Sequence, residues 1–345
     1  MINDLIDRSV CRNGDLEGRM PNRSIFQITI DTEGDNLWAA PAQVTTENSR
    51  YLPRFQRLCE KYGFKPTYVV NWEMANCPNF RAFGRDLLAR RTGEIGMHLH
   101  AWNSPPIVPL GDNDDIRQPY LIEYPQDVVV EKIHVMTRRL EDVFETKMLT
   151  HRAGRWALDG RYARELAALG YTSDCSVTPN VSWPMTGPTQ GAHAVDYSGL
   201  PATTFSFEFG DGLKLLEIPV TILPKSISFF ESQLRRALGK PKPVVWLRPN
   251  GRNLSDMLLA LQAGLAVNGD YVQFMLHSSE LMPGGSPTFD TEEKIEFLYA
   301  HLDRLFAKAS EKFVGATLSE FVAMRRSVAD PRIPGVDTQP QQCGF

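Results

Sequence analysis

The chain has 345 residues, 42% of them hydrophobic and 23% charged, with a formal net charge of −4. That is enough to bury a sizeable core in one large domain or two smaller ones. The charge balance gives no reason to expect nucleic acid or an anionic membrane as partner, and no run approaches the ~20 apolar residues of a membrane span.

Residues 1–24 read as an N-terminal extension without an apolar signal core. Residues 25–31 form an apolar strand. Residues 47–62 read as a helix stopped by Gly63, 66–72 as a second strand and 78–91 as a helix ended by Gly93. Strand 94–100 leads into a long polar loop. Residues 125–145 carry the clearest helical period, with Val129, Ile133, Met136, Leu140, Val143 and Phe144 on one face. Strand-like pieces recur at 147–151, 171–175, 214–218, 243–247 and 271–277, and helices fill 159–169, 253–267 and 291–309. A strand–helix pair at 313–325 precedes a polar tail, 328–345.

This alternation predicts an α/β fold with a parallel sheet covered by helices. The candidate chemical residues Asp31, His98, Arg152, Asp174 and His277 stand at the C-terminal ends of different strands. That favours a (β/α) barrel over residues 25–327, with about seven parallel strands. The stretch 177–212, rich in Pro, Gly, Thr and Ser, reads as an elaborated loop over the barrel mouth. No glycine fingerprint for a dinucleotide or nucleotide phosphate occurs. The five cysteines (Cys11, Cys59, Cys77, Cys175, Cys343) lack C-x-x-C spacing, which predicts reduced thiols and a cytoplasmic location.

His98 and His100 are two residues apart at a strand end, as are Asp31 and Glu33. Strand side chains alternate, so each pair shares a face. If the strand ends are neighbours, nitrogen and oxygen donors converge into a site suited to a catalytic divalent metal. The mixed donors of Glu33, His98 and His100 point to zinc.

The motifs IDTEGD, GEIGMHLHAW, HRAGRW, LGYTSDCS and FMLHSSE, in that order, resemble the five motifs of the polysaccharide deacetylases (NodB-homology carbohydrate esterases). The resemblance runs from about residue 25 to 280, and more narrowly the chain looks like the subgroup encoded in bacterial O-antigen and capsule loci. It implies a distorted β/α barrel, a divalent metal and hydrolytic removal of an acyl group from an N-acylated sugar. By the same resemblance, Asp31 is the general base, Glu33 the metal carboxylate and His98 the first metal histidine. Arg152 orients the base, Asp174 pairs with that arginine behind Asp31, Trp156 fills an aromatic position and His277 is the general acid. The family spaces its metal histidines four apart, whereas position 102 here is Trp102. The second nitrogen therefore comes from His100 or from elsewhere, with His151 a candidate, and Asp35 competes with Glu33.

Trp102, Trp183 and Trp246 suit either a sugar face or core packing. Arg248 suits an anionic substrate group or a strand-end surface position. Glu217, inside an apolar run, needs a buried partner: substrate or an arginine. His134, His193 and His301 read as structural. The expected function is cytoplasmic, metal-dependent deacetylation or deformylation of an N-acylated sugar in surface-polysaccharide synthesis. Hydrolysis of a small non-sugar amide, and an inactive carbohydrate-binding homologue, are the alternatives.

Overall fold

The computed structural model describes residues 23–35, 37, 43–184 and 193–329. Most of the expected N-terminal extension and C-terminal tail, with Cys11 and Cys343, lie outside the described residues, as does 185–192 of the expected mouth loop. Along the chain come β1 (Ser24–Thr32), α1 (Leu52–Lys61), β2 (Thr67–Val70), α2 (Trp72–Asn76), α3 (Pro78–Arg90), β3 (Glu94–Leu99) and α4 (Asp114–Arg117). Next are α5 (Gln126–Phe144), β4 (Thr150–Ala153), α6 (Gly160–Ala168), β5 (Ser173–Asp174), β6 (Ser182–Pro184), β7 (His193–Asp196), β8 (Phe205–Glu208) and β9 (Lys214–Glu217). The remainder is β10 (Ile222–Pro224), α7 (Phe229–Ala237), β11 (Val244–Trp246), α8 (Leu254–Asn268), β12 (Tyr271–His277), α9 (Glu292–Ser310), β13 (Phe313–Gly315) and α10 (Leu318–Ala329).

The main sheet runs β12–β1–β2–β3–β4–β5–β9–β8, with β13 also beside β1. Every pairing is parallel except β8–β9, which is antiparallel. Helices cover a mostly parallel α/β sheet, as the alternation predicted. One expectation is corrected: the strand at 243–247 pairs antiparallel with β10 in a separate small sheet. Among the described residues the continuous ladder runs from β12 to β8. Single bonds bring the segment after β9 beside β12: Thr221 N–H donates to Gln273 O at 3.3 Å and Gln273 N–H to Thr221 Oγ1 at 2.9 Å.

β1 explains how the site is supported. Its outward residues, Phe26, Ile28 and Ile30, enter the main core with Phe274 and Phe306. Its inward residues are Ile25, Gln27, Thr29 and Asp31, so polarity rises toward the C-terminal end. At the opposite end Ile25 packs with Ile218, Tyr271 and the α10 residues Leu318, Phe321 and Val322. α10 therefore plugs the sheet's N-terminal mouth and leaves the C-terminal mouth for chemistry. In α5, Val129, Ile133, Met136, Leu140 and Val143 are buried on the expected face. The helix expected over 47–62 is split into a 3₁₀ turn at Glu47–Arg50 and α1. Asp35 accounts for the turn, accepting from Thr45 Oγ1 and the amides of Glu47 and Asn48 at 2.8–2.9 Å.

Gly154, just after β4, lets that chain approach the end of β3. A Cβ there would stand 2.4 Å from Leu99 O and 3.0 Å from His100 Nδ1. Gly154→Ala should therefore lower unfolding stability by about 1–3 kcal/mol in denaturant titration. Unchanged stability would contradict the close approach.

Candidate active site

Four parallel strand ends bring the side chains together. In the β1–β12 register Asp31 is opposite His277, and in the β3–β4 register His98 is opposite Arg152. His98 and His100 share a face, as the spacing predicts; their rings are 4.7 Å apart and nearly perpendicular. Glu33 Oε2 lies 2.8 Å from His100 Nε2 and 3.5 Å from His98 Nε2. The donor atoms of Glu33, His98 and His100 all fall within 4.8 Å of one another, and the three residues are buried.

The surroundings orient these donors. His98 Nδ1 is 2.9 Å from Arg152 O. A carbonyl can only accept, so the Nδ1 proton goes to it; in the neutral ring the Nε2 lone pair then faces Glu33. Burial works against the charged ring, but Asp31 and Glu33 outweigh it and raise the His98 pKa. His100 Nδ1 is buried without a hydrogen-bond partner. Ser278 Oγ accepts from the Glu33 amide at 3.1 Å, and Asn48 Nδ2 donates to the Glu33 carbonyl at 2.8 Å. These anchors come from distant parts of the chain. Neither Asp35 nor His151 joins the cluster. Asp35 is spent on its turn, and both His151 nitrogens are engaged, by Asp174 at 2.5 Å and Tyr162 at 2.7 Å.

Arg152 is fully buried. It donates to Asp31 Oδ1 at 2.5 Å, Thr29 Oγ1 at 2.7 Å, Gln273 Oε1 at 2.9 Å and Cys175 O at 3.1 Å. Burial pushes the Asp31 carboxyl upward, but Arg152, His98 and His277 outweigh it and hold it below its ordinary value. The expected Arg152–Asp174 bridge is not formed. Adjacent residues on β4 face opposite ways, and register places His151, not Arg152, opposite Asp174. Asp174 thus lies off the cavity, and the hydrogen bond from His151 keeps it ionised against the cost of burial. Glu217 contacts neither arginine nor the cavity. It accepts from Val177 N–H at 2.9 Å, and burial followed by the Asp174 charge raises its carboxyl well above the ordinary value.

His277 Nε2 points toward Asp31 Oδ2 at 3.6 Å and Glu33 Oε1 at 3.8 Å. Arg248 Nη2 is 2.9 Å from His277 Nδ1. Glu280 Oε2 also lies 3.3 Å from His277 Nδ1, so a donor and an acceptor share that nitrogen while Nε2 faces the site. Arg248 also pairs with Glu280 at 3.1 Å. Burial raises the Glu280 carboxyl, but Arg248 and His277 bring it down to about 2. Glu280 is a supporting residue absent from the expected set; the acid in FMLHSSE was its one signal.

A cavity of about 970 Å³ opens over this cluster, lined by Asp31, Glu33, His98, His100 and His277, and by Arg248, Trp102, Trp156 and Trp183. Trp246 packs on Trp156 and Trp183 at 6.0 and 6.3 Å. Arg155 and Trp156 both take left-handed backbone conformations, φ 52° and 65°. Such strain costs ~1–3 kcal/mol per residue and concentrates at functional sites. It turns Arg155 over the Trp102 ring at 5.3 Å and Trp156 over the Arg152 guanidinium at 4.9 Å. The far wall uses Ile107, Val108 and Tyr120 from the loops after β3 and Ile116 from α4 between them, which periodicity did not single out. His134 pairs with Glu165 at 2.6 Å, and His301 packs on Phe297.

No protein-family model matches the chain, and no curated protein does. Among solved structures, a Mycobacterium smegmatis protein named "putative polysaccharide deacetylase" aligns at 15% identity and TM-score 0.53, covering 94% of this chain and 97% of that one. The Xyl-CE4 domain of a multidomain xylanase from the hindgut metagenome of Trinervitermes trinervoides aligns at 9% identity and TM-score 0.44, covering 88% and 92%. A Bacillus subtilis peptidoglycan deacetylase aligns at 11% identity and TM-score 0.40, covering 90% and 95%. The first likeness shows a shared fold, and the other two add no weight to it.

The Asp31–Arg152 pair sets a testable pH dependence. Asp31 is held below its ordinary value of ~3.9, so its contribution is complete above that pH and fades as pH falls through the lower folded value. Arg152→Met should cost about 3–5 kcal/mol at neutral pH, because it strands a buried carboxylate. Adding Asp31→Asn should recover part of that loss. Denaturant unfolding checks both; a neutral Arg152→Met, or no recovery in the double variant, contradicts the pairing.

Proposed function

We propose that the chain is a metal-dependent hydrolase that removes an acetyl or formyl group from an N-acylated sugar. The observation that carries this reading is the convergence of the Glu33–His98–His100 cluster, the Arg152-paired Asp31 and the Nε2 edge of His277 at one cavity. The fold shared with the M. smegmatis structure supports it. A role in O-antigen or other surface-polysaccharide synthesis, in the cytoplasm, rests on the motif resemblance.

Three features of the cluster fit a metal: mutually close donors, a His98 ring whose Nδ1 is held by a backbone carbonyl so that Nε2 faces the cluster, and carboxylates in excess of the one guanidinium beside them. Nitrogen with a single carboxylate suits zinc better than magnesium. A divalent ion held by Glu33, His98 and His100 would supply polarisation of the amide carbonyl and a lower pKa for bound water.

The chain's own groups do the rest. Asp31, kept ionised by Arg152, accepts a proton from the attacking water through Oδ2, since Oδ1 is occupied. His277 offers a proton from Nε2 to the departing amine, while Arg248 and Glu280 hold the ring at its Nδ1 edge. The tryptophans at the rim give the apolar face of a sugar ring a stacking surface. Arg155 and Arg248 suit an anionic group elsewhere on the substrate.

Purified protein should hold about one zinc per chain by elemental analysis and release acetate or formate from N-acylated sugars. His98→Ala and His100→Ala should lose the metal and the activity. His277→Ala should keep the metal and lose about 10²–10⁴-fold in turnover. Loss of metal in His277→Ala would make that residue a ligand, and unchanged turnover would remove it from the mechanism. A metal-loaded protein inert toward N-acylated sugars would contradict the reading.

A further inference from the structure

Between β10 and β11 the chain leaves the fold as a finger whose described residues from Pro224 to Lys242 are nearly all exposed. Its centre is α7, capped by Ser228, whose Oγ accepts from the Glu231 amide at 3.2 Å. Phe229, Phe230 and Leu234, with Leu238 just past the helix, are 72%, 85%, 60% and 58% exposed. At 100° per residue Phe230, Leu234, Ala237 and Leu238 share one face, while Arg235 and Arg236 fall on the other. A nine-residue helix is marginal in water unless its apolar face is buried, and here no described element covers that face.

The finger's charge is opposite to the chain's. Lys225, Arg235, Arg236, Lys240 and Lys242 stand against one carboxylate, Glu231, in a protein of net charge −4. Lys225 pairs with Asp256 at 3.1 Å and Arg235 with Glu231 at 3.0 Å. Arg236, Lys240 and Lys242 are exposed and have no ion-pair partner among the described residues.

We propose that α7 and the basic segment after it dock the protein on an anionic lipid bilayer. Phe230 and the leucines enter the boundary between headgroups and acyl chains, Phe229 flanks them at the helix start, and the cations meet lipid phosphates. Charge complementarity favours this occupant. A symmetric pairing of two copies through α7 would bring two cationic clusters together. Among the described residues no helix is long and apolar enough to cross a membrane, and this element lies in the interface instead. β11 carries Trp246 and leads directly to Arg248 at the cavity, so the docking element adjoins the rim of the candidate site. The proposal does not depend on the hydrolase reading.

The test is flotation of the full chain with vesicles of phosphatidylcholine alone or mixed with phosphatidylglycerol. Binding should require phosphatidylglycerol and weaken with added salt. Replacing Arg236, Lys240 and Lys242 together by Gln should weaken it about 10²-fold. Phe229→Ser with Phe230→Ser should weaken it by at least about tenfold. Both variants should keep the wild-type melting temperature, since these side chains are exposed. A wild-type chain that ignores phosphatidylglycerol vesicles, or a triple variant that binds as well as wild type, would overturn the proposal. Self-association abolished by the phenylalanine changes, without vesicle binding, would overturn it in favour of a second copy.

Discussion

The fully buried guanidinium of Arg152 is the constraint on which the site depends. A charge in such an interior is tolerable only when it is paired and well hydrogen-bonded. Arg152 meets that demand with four hydrogen bonds, to Asp31 and Thr29 from β1, Gln273 from β12 and the Cys175 carbonyl beyond β5. One side chain therefore links separated parts of the sheet and explains the polar inward residues of β1 and β12. It also fixes Asp31 as an anion in a place where burial alone would neutralise it. Asp31 and Glu33 together carry more negative charge than Arg152 cancels, and that surplus is what makes the adjacent imidazole pair a plausible cation site.

Much of this arrangement was legible in the chain. Continuous apolar runs ending in Asp31, His98 and His277 placed those residues on parallel strand ends, and period-two alternation put His98 and His100 on one face. The pairing of Asp174 was not legible, because it depends on the β4–β5 register, which neighbouring residues do not encode. That register gives Asp174 to His151 and leaves Arg152 for Asp31. The apolar VVW segment looks like a sheet strand by composition, yet it joins a local antiparallel pair. The wall of Ile107, Val108 and Ile116 carries no periodic signal, and tertiary placement alone brings it to the cavity.

Net charge concealed the finger at 224–242. A mildly acidic total averages away a cationic cluster that matters only because the fold presents it in one exposed place. The helix there has no core to face, so its apolar residues could not be assigned to packing. The same fold that plugs one mouth of the sheet with α10 leaves the other open beside this finger, with tryptophans and Arg248 between the two.

The most direct test of the metal centre is anomalous diffraction from crystals grown with zinc, recorded on both sides of the zinc absorption edge. A single strong peak about 2.0–2.2 Å from Glu33, His98 Nε2 and His100 Nε2 is the predicted result. A map without a peak there, or with its peak at His151 and Asp174, would contradict the account.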